Sequence, residues 1–96
     1  MKVRNIEGRS GREVPNQFII TGDGKTTFQS YNSTIAEINN NTKEIIIHPH
    51  YNYSKTTGKY RNQFFEQEGF FGLATLKDLE KAIAEGSYNG WTVKVA

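Results

Sequence analysis

Cysteine is absent from the sequence, which excludes disulfide bonds and thiolate metal ligands. No apolar run is long enough to predict a transmembrane helix, and the polar N-terminus lacks the apolar centre of a signal peptide. These absences predict a reducing, cytosolic setting with no membrane partner. The 96 residues match the commonest size of a domain, so we expect one modest core and little room for a deep substrate cavity.

A strong net charge is also absent, because 12 cations and 10 acids leave only +2. This value does not by itself indicate a nucleic-acid binder. The charges are unevenly distributed along the chain, however. Cations gather near the N-terminus and again in the middle of the chain, and acids gather between Glu66 and Glu85. The two basic clusters are Lys2, Arg4, Arg9 and Arg12, and Lys55, Lys59 and Arg61.

Catalytic motifs are missing as well. No serine lies in a nucleophile elbow, and no two acids pair in an apolar context suited to acid–base chemistry. His48 and His50 would point the same way on a strand, but a zinc site needs further ligands. We therefore predict that the protein is not an enzyme and has no catalytic residue, no metal site and no cofactor.

The run GDGKTT at residues 22–27 resembles a phosphate-binding loop. Such a loop needs a glycine five positions before its Gly-Lys pair, where this chain has Ile19. Asp23-Gly24 is instead the strongest two-residue signal for a β-hairpin turn. We therefore interpret the run as a hairpin.

The pattern of strands predicts a three-stranded antiparallel meander over residues 17–48. Its turns are Asp23-Gly24 and residues 39–42, and Pro49 closes its third strand. The second strand is expected to continue through residues 33–38, either straight or with a bend near Asn32. Residues 1–15 are predicted to form a flexible basic arm, in which Lys2–Ile6 could form a short strand. Residues 16–96 are predicted to form a single domain.

Two short helices and a final strand are predicted after the meander. Ser54, Thr56 or Thr57 can cap the first helix, which ends at Gly69. Residues 75–78 form a capping-box variant for the second helix, and Gly86 suits its C-terminal end. With a last strand at residues 91–95, the order is β-β-β-α-α-β. This is an α+β fold whose helices cover one face of a small sheet.

The first of these helices has its charged residues in the order opposite to the one that helices favour. Helices favour acids in the first turn and cations in the last, yet Lys59 and Arg61 lie at the front and Glu66 and Glu68 at the rear. Either the packing of Tyr60 and its neighbours outweighs this cost, or the hydroxyls, free amides and cations bind an anion.

Aromatic residues crowd the same part of the chain, with seven of them between residues 51 and 71. A thin sheet cannot bury them all, and adjacent residues such as Phe70 and Phe71 rarely both point inward. An exposed aromatic flanked by cations suits a protein–protein hot spot or base stacking. The predicted binding residues for a protein or a phosphate group are therefore Tyr51, Tyr53, Lys55, Thr56, Thr57, Lys59 and Arg61, with Arg4, Arg9 and Arg12 as a secondary basic arm.

Two segments of the chain resemble a family of small uncharacterised proteins of phages and mobile elements in Firmicutes. The family pattern is YN-(S/T)-x-(I/V)-A, then a strand, then (W)-x-Y-S-x-T-T-x-(K/R)-(Y/H)-x-x-x-F-(L/F), and the resemblance covers about residues 28–66. The matching residues are Tyr31, Asn32, Ser33, Ile35, Ala36, Tyr53, Ser54, Thr56, Thr57, Lys59, Tyr60 and Phe64. Residues 50–53 stand where relatives often carry a tryptophan and an acid. The resemblance implies an origin and no particular activity.

The leading hypothesis is a non-enzymatic phage accessory protein in the host cytoplasm. It would bind and inhibit a host protein, and the favoured target is an anti-phage defence effector that handles nucleic acid, as in anti-CRISPR proteins. One alternative is a direct DNA or RNA binder. Another is a protein that sequesters a phosphorylated nucleotide signal at the helix start. A homodimer, formed through an exposed strand edge or through Phe70-Phe71, stays open.

Overall fold

The computed structural model describes residues 1–8 and 10–96, which form a seven-stranded mixed sheet and two helices. The strands are β1 Lys2–Glu7, β2 Glu13–Gly22, β3 Lys25–Ser30, β4 Ser33–Asn39, β5 Glu44–Ile47, β6 Ser87–Tyr88 and β7 Trp91–Val95. The helices are α1 Lys55–Gln67 and α2 Leu76–Glu85, with a short 3-10 turn at Phe71–Leu73 between them. The strand order is β1-β2-β3-β4-β5-β7-β6.

The first five strands run antiparallel, and β7 then joins β5 in parallel. Both helices lie in the connection between β5 and β7. A parallel pair needs such a crossover, because a tight hairpin can join only antiparallel strands. The sheet is therefore mixed, and both helices pack on it within one core.

The prediction of a three-stranded meander with a single final strand is wrong. Residues 1–15, expected to form a loose arm, contain β1 and the first residues of β2. β1 lies at the edge of the sheet, where Lys2 and Arg4 stay exposed while Ile6 is fully buried. The short strand allowed for at Lys2–Ile6 is therefore present, and it runs to Glu7 and pairs with β2 instead of lying in a loose arm.

The predicted second strand is two strands, because the chain turns back at Tyr31 and Asn32. Ser30 pairs with Ser33 across this hairpin. Tyr31 adopts a positive φ of 55°, which bulky residues rarely do. A register shift follows, in which Ile35 is the extra residue, so Ile35 and Ala36 are both buried.

Other local signals predict the structure correctly. Asp23 and Gly24 form the hairpin turn between β2 and β3, with φ values of 52° and 76°. Of the three candidate caps, Ser54 caps α1, while Thr75 caps α2. Gly86 ends α2 in the left-handed conformation with φ 75°.

The core lies between the sheet and the helices. Ile19, Phe28, Ala36 and Ile47 are register neighbours on β2 to β5, and each is fully buried. Phe64 of α1 stacks on Phe28 with ring centroids 5.6 Å apart. Burial of each large side chain contributes about 1.5–3 kcal/mol, far more than the unfavourable charge order of α1 costs.

Candidate functional site

A cleft of about 490 Å³ opens where α1 begins. Three parts of the chain form it: the turn between β3 and β4, the loop at residues 48–53, and the first turn of α1. The lining residues are Ser30, Tyr31, Asn32, Ser33, Ile35, His50, Tyr53 and Thr57. Its volume lies within the range of about 300–1,000 Å³ that is typical of ligand sites.

Two tyrosines from separate segments stand exposed at this cleft. Tyr31 is 49% exposed and Tyr53 is 72% exposed. The Tyr31 amide donates a hydrogen bond of 2.7 Å to the carbonyl of Asn16, which holds the turn in place. The His50 ring lies edge-on to Tyr53 with centroids 5.7 Å apart. The cleft thus has aromatic walls that are partly fixed before any partner arrives.

The polar base of the cleft is a group of hydroxyls that already bond one another. The oxygens of Ser30 and Thr57 lie 3.0 Å apart, and the Ser54 hydroxyl donates to Thr57 Oγ1 at 3.2 Å. The Thr57 amide donates to Ser54 Oγ at 3.1 Å as the helix cap. Thr57 is only 1% exposed, so its hydroxyl joins the helix to β3 and does not point to solvent.

Arg61 is buried, so its guanidinium cannot reach an anion bound at the surface. Its side chain is 1% exposed, its Nη1 donates to the carbonyl of Tyr51 at 2.6 Å, and its Nη2 donates to Asn62 Oδ1 at 2.8 Å. Its Nε has no hydrogen-bond partner within the described ranges. Burial lowers the pKa of Arg61, an effect that Tyr51 and Glu80 partly oppose. Arg61 therefore anchors the loop that carries His50 and Tyr53.

The same loop is fixed at two further points. His48 Nε2 lies 2.7 Å from Glu37 Oε2 on β4. The Tyr51 hydroxyl donates to Glu80 Oε2 on α2 at 2.8 Å, and this bond, followed by burial, raises the pKa of Tyr51. The loop that forms one wall of the cleft is thus tied to the sheet and to both helices.

The predicted binding residues separate into two groups. Tyr53, Lys55, Thr56 and Lys59 are exposed and Tyr51 is half-buried, whereas Thr57 and Arg61 are buried. Lys55 and Lys59 lie one helical turn apart, and Lys59 Nζ is 5.2 Å from the centroid of the Tyr60 ring. Of the secondary set, Arg4 on β1 and Arg12 before β2 are exposed but do not line the cleft, and Arg9 lies outside the described residues.

The two histidines are not placed to share a metal ion. His48 bonds Glu37, whereas His50 lines the cleft. Across residues 1–8 and 10–96, no group of three or more His, Cys, Asp and Glu side chains could hold a metal.

Sequence reasoning missed most of the cleft. Ser30, Tyr31, Asn32, Ser33, Ile35 and His50 were absent from the predicted set of binding residues. The available signal was the first of the two resembling segments, which begins at Tyr31. The structure brings that segment against the second one, which begins at Tyr53.

Comparison with protein-family models gives a match to a family of unknown function (DUF8033) over residues 1–81. Comparison with curated proteins and with solved structures gives no match. Neither helix of the described chain has the length and apolarity that crossing a membrane requires.

Proposed function

The chain belongs to this family of unknown function, so from the site itself we propose a non-enzymatic protein that binds a partner protein through the α1 cleft. The observation that carries the proposal is the pair of exposed tyrosines, Tyr31 and Tyr53, on an open cleft whose loop is already anchored. Large, rigid aromatic side chains at a concave surface are typical hot spots of protein interfaces.

The charges favour a protein over a free nucleotide or a nucleic acid. Of the groups predicted to bind a phosphate at the helix start, the Thr57 hydroxyl and the Arg61 guanidinium are buried and already bonded. Lys55 and Lys59 remain exposed, but within the described part of the chain no lysine or arginine lines the cleft itself. Nucleic-acid binding draws its affinity mainly from many phosphate contacts, which this surface does not offer.

The biological setting that we propose follows the resemblance of the sequence to phage and mobile-element proteins. The partner would be a host protein in the host cytoplasm, and the bound protein would inhibit it. A defence effector that handles nucleic acid is the favoured class of target. This setting guides the choice of lysate for the experiment and does not alter the argument from the cleft.

The experiment is affinity capture from host lysate with tagged wild type, Tyr53→Ala and Phe71→Ala. Phe71 is a matched aromatic control, 69% exposed, just beyond the opposite end of α1. The 13 residues of α1 place that end about 20 Å away. We expect wild type and Phe71→Ala to retain one protein partner after nuclease treatment, and Tyr53→Ala to lose it.

Either of two results would overturn the proposal. One is co-purification of nucleic acid or nucleotide, seen as high absorbance at 260 nm, with no protein partner. The other is a partner that Tyr53→Ala retains as fully as wild type does.

A further inference from the structure

We propose that the part of the partner seated in the cleft is an acidic segment that inserts one aromatic or large aliphatic side chain between Tyr31 and Tyr53. This inference rests on the proposed function and names the chemistry of its partner. It follows from the charge around the cleft and from the character of its walls.

The chain segments that form the cleft contain no carboxylate side chain. Neither residues 24–36 nor residues 45–65 include an aspartate or a glutamate. The nearest acids in contact with the loop are already engaged, because Glu37 bonds His48 and Glu80 accepts from the Tyr51 hydroxyl. No carboxylate from these segments therefore offsets the charge of the exposed lysines at the start of α1.

Two exposed lysines follow in the chain directly after the cleft wall that carries Tyr53. Lys55 lies two residues after Tyr53 and is exposed, and Lys59 follows on the next turn of α1. Within the described chain, neither lysine forms a salt bridge. An acidic segment would pair with both lysines, whereas a basic one would be repelled.

The interior of the cleft suits an apolar anchor. Ile35 lines it and is 1% exposed, and the rings of Tyr31, His50 and Tyr53 surround it. The hydroxyls of Ser30 and Thr57 already bond each other, so they need no polar group from a ligand. Burying an aromatic side chain against such walls gives more affinity than the peripheral charges, which chiefly set orientation and specificity.

The experiment is an NMR titration of the ¹⁵N-labelled full chain that follows the amide signals of Tyr31, Ser33, Tyr53 and Thr57. The probes are pentapeptides with a central phenylalanine between two aspartates on each side, the same with lysines in place of aspartates, and the acidic peptide with a central alanine. AMP and inorganic phosphate are titrated separately. We expect saturable shifts at the cleft with the acidic phenylalanine peptide, and binding that is at least about tenfold weaker for the other two peptides.

A charge-reversal variant provides the second arm. The double variant Lys55→Glu, Lys59→Glu should bind the acidic phenylalanine peptide about tenfold more weakly than wild type does. Lys77→Glu, an exposed change on α2, should leave the affinity for this peptide unchanged. The difference in affinity between wild type and the double variant should shrink at high salt, because exposed charges are screened.

The outcomes separate this inference from the proposed function. Equal or tighter binding of the lysine-flanked peptide at the cleft would overturn the acidic partner and leave a protein-binding cleft. Saturation of the cleft by AMP or phosphate, with no peptide bound, would overturn both proposals. If no probe showed saturable binding, the acidic-segment inference would be overturned. The capture experiment would still decide the proposed function.

Discussion

At the scale of single residues, Arg61 shows how a cation that resembles a ligand group can be structural. Its guanidinium is 1% exposed and donates to the carbonyl of Tyr51. The described residues provide it no salt-bridge carboxylate. A buried charge without such a partner is costly, so the fold must recover that cost through packing and hydrogen bonds.

We predict that Arg61→Ala lowers the free energy of unfolding by about 3 kcal/mol, because it leaves a cavity and an unpaired Tyr51 carbonyl. Arg61→Met should cost only about 1 kcal/mol, because it fills the space and removes the buried charge. Urea unfolding measures the stability of both variants. Lys77→Ala, an exposed change, is the control and should change the stability by less than about 0.5 kcal/mol. A Met variant as unstable as the Ala variant would contradict this account.

The bond between Tyr51 and Glu80 makes a prediction about alkaline pH. The Glu80 carboxylate accepts from the Tyr51 hydroxyl and raises the Tyr51 pKa. Because this pKa is higher in the folded state, the bond contributes stability below the ordinary tyrosine pKa. That contribution is lost as the pH rises through the raised value.

Glu80→Gln should therefore lower the Tyr51 pKa towards the ordinary tyrosine value. Ultraviolet difference titration of wild type and variant measures this shift, and Glu85→Gln, an exposed change on the same helix, is the control. An unchanged tyrosine titration in Glu80→Gln would show that the hydrogen bond does not set the pKa.

At the scale of elements, the two hairpin turns show what sequence can and cannot predict. Asp23-Gly24 is predictable because both residue types tolerate positive φ. Tyr31 adopts the same conformation without that preference, and the bond from its amide to the Asn16 carbonyl, 15 positions away, stabilises it. No local pattern contains that contact, so the split between β3 and β4 was missed.

The same distinction applies to the site. Residues 53–59 were predictable because their hydroxyls, cations and aromatics are contiguous in the chain. Ser30 and Tyr31 belong to the cleft only because β3 ends beside the start of α1. The burial of Thr57 depends on how α1 is rotated on the sheet, which the period of its apolar residues does not specify clearly.

Tyr31 provides a test that separates binding from stability. Tyr31→Asn should change the free energy of unfolding by less than about 1 kcal/mol, because asparagine tolerates the left-handed conformation and the tyrosine ring is half-exposed. Binding of the captured partner should fall at least about tenfold, because one wall of the cleft is lost. Chemical denaturation and calorimetry measure the two effects.

Lys43→Asn is the matched control for this turn, because Lys43 is exposed and also has a φ of 55°. It should leave partner binding unchanged. If Tyr31→Asn bound the partner as wild type does, the aromatic wall would have no role in recognition.

At the scale of the whole molecule, the rigidity of the cleft depends on the core that α1 shares with the sheet. Phe28 of β3 and Phe64 of α1 stack at 5.6 Å and are both fully buried. The helix start and the end of β3, which together carry Thr57 and Ser30, are thereby held at a fixed separation.

We predict that Phe64→Ala costs about 3–5 kcal/mol of unfolding free energy. Because a domain of this size has a stability of only about 5–15 kcal/mol, the substitution should remove a large share of it. A double-mutant cycle with Phe28→Ala should give a coupling of about 0.5–1.5 kcal/mol, the typical value for paired rings. Independent effects of the two substitutions would show that the stacking does not join α1 to the sheet.

The most direct test of the central claim is calorimetric titration of the purified partner with wild type, Tyr53→Ala and Phe71→Ala. If the cleft is the binding surface, Tyr53→Ala should weaken binding by at least about 30-fold, the loss expected for a hot-spot residue worth about 2 kcal/mol. Phe71→Ala should bind as wild type does. Wild-type affinity in Tyr53→Ala, or a loss confined to Phe71→Ala, would contradict the claim and move the binding surface away from the cleft.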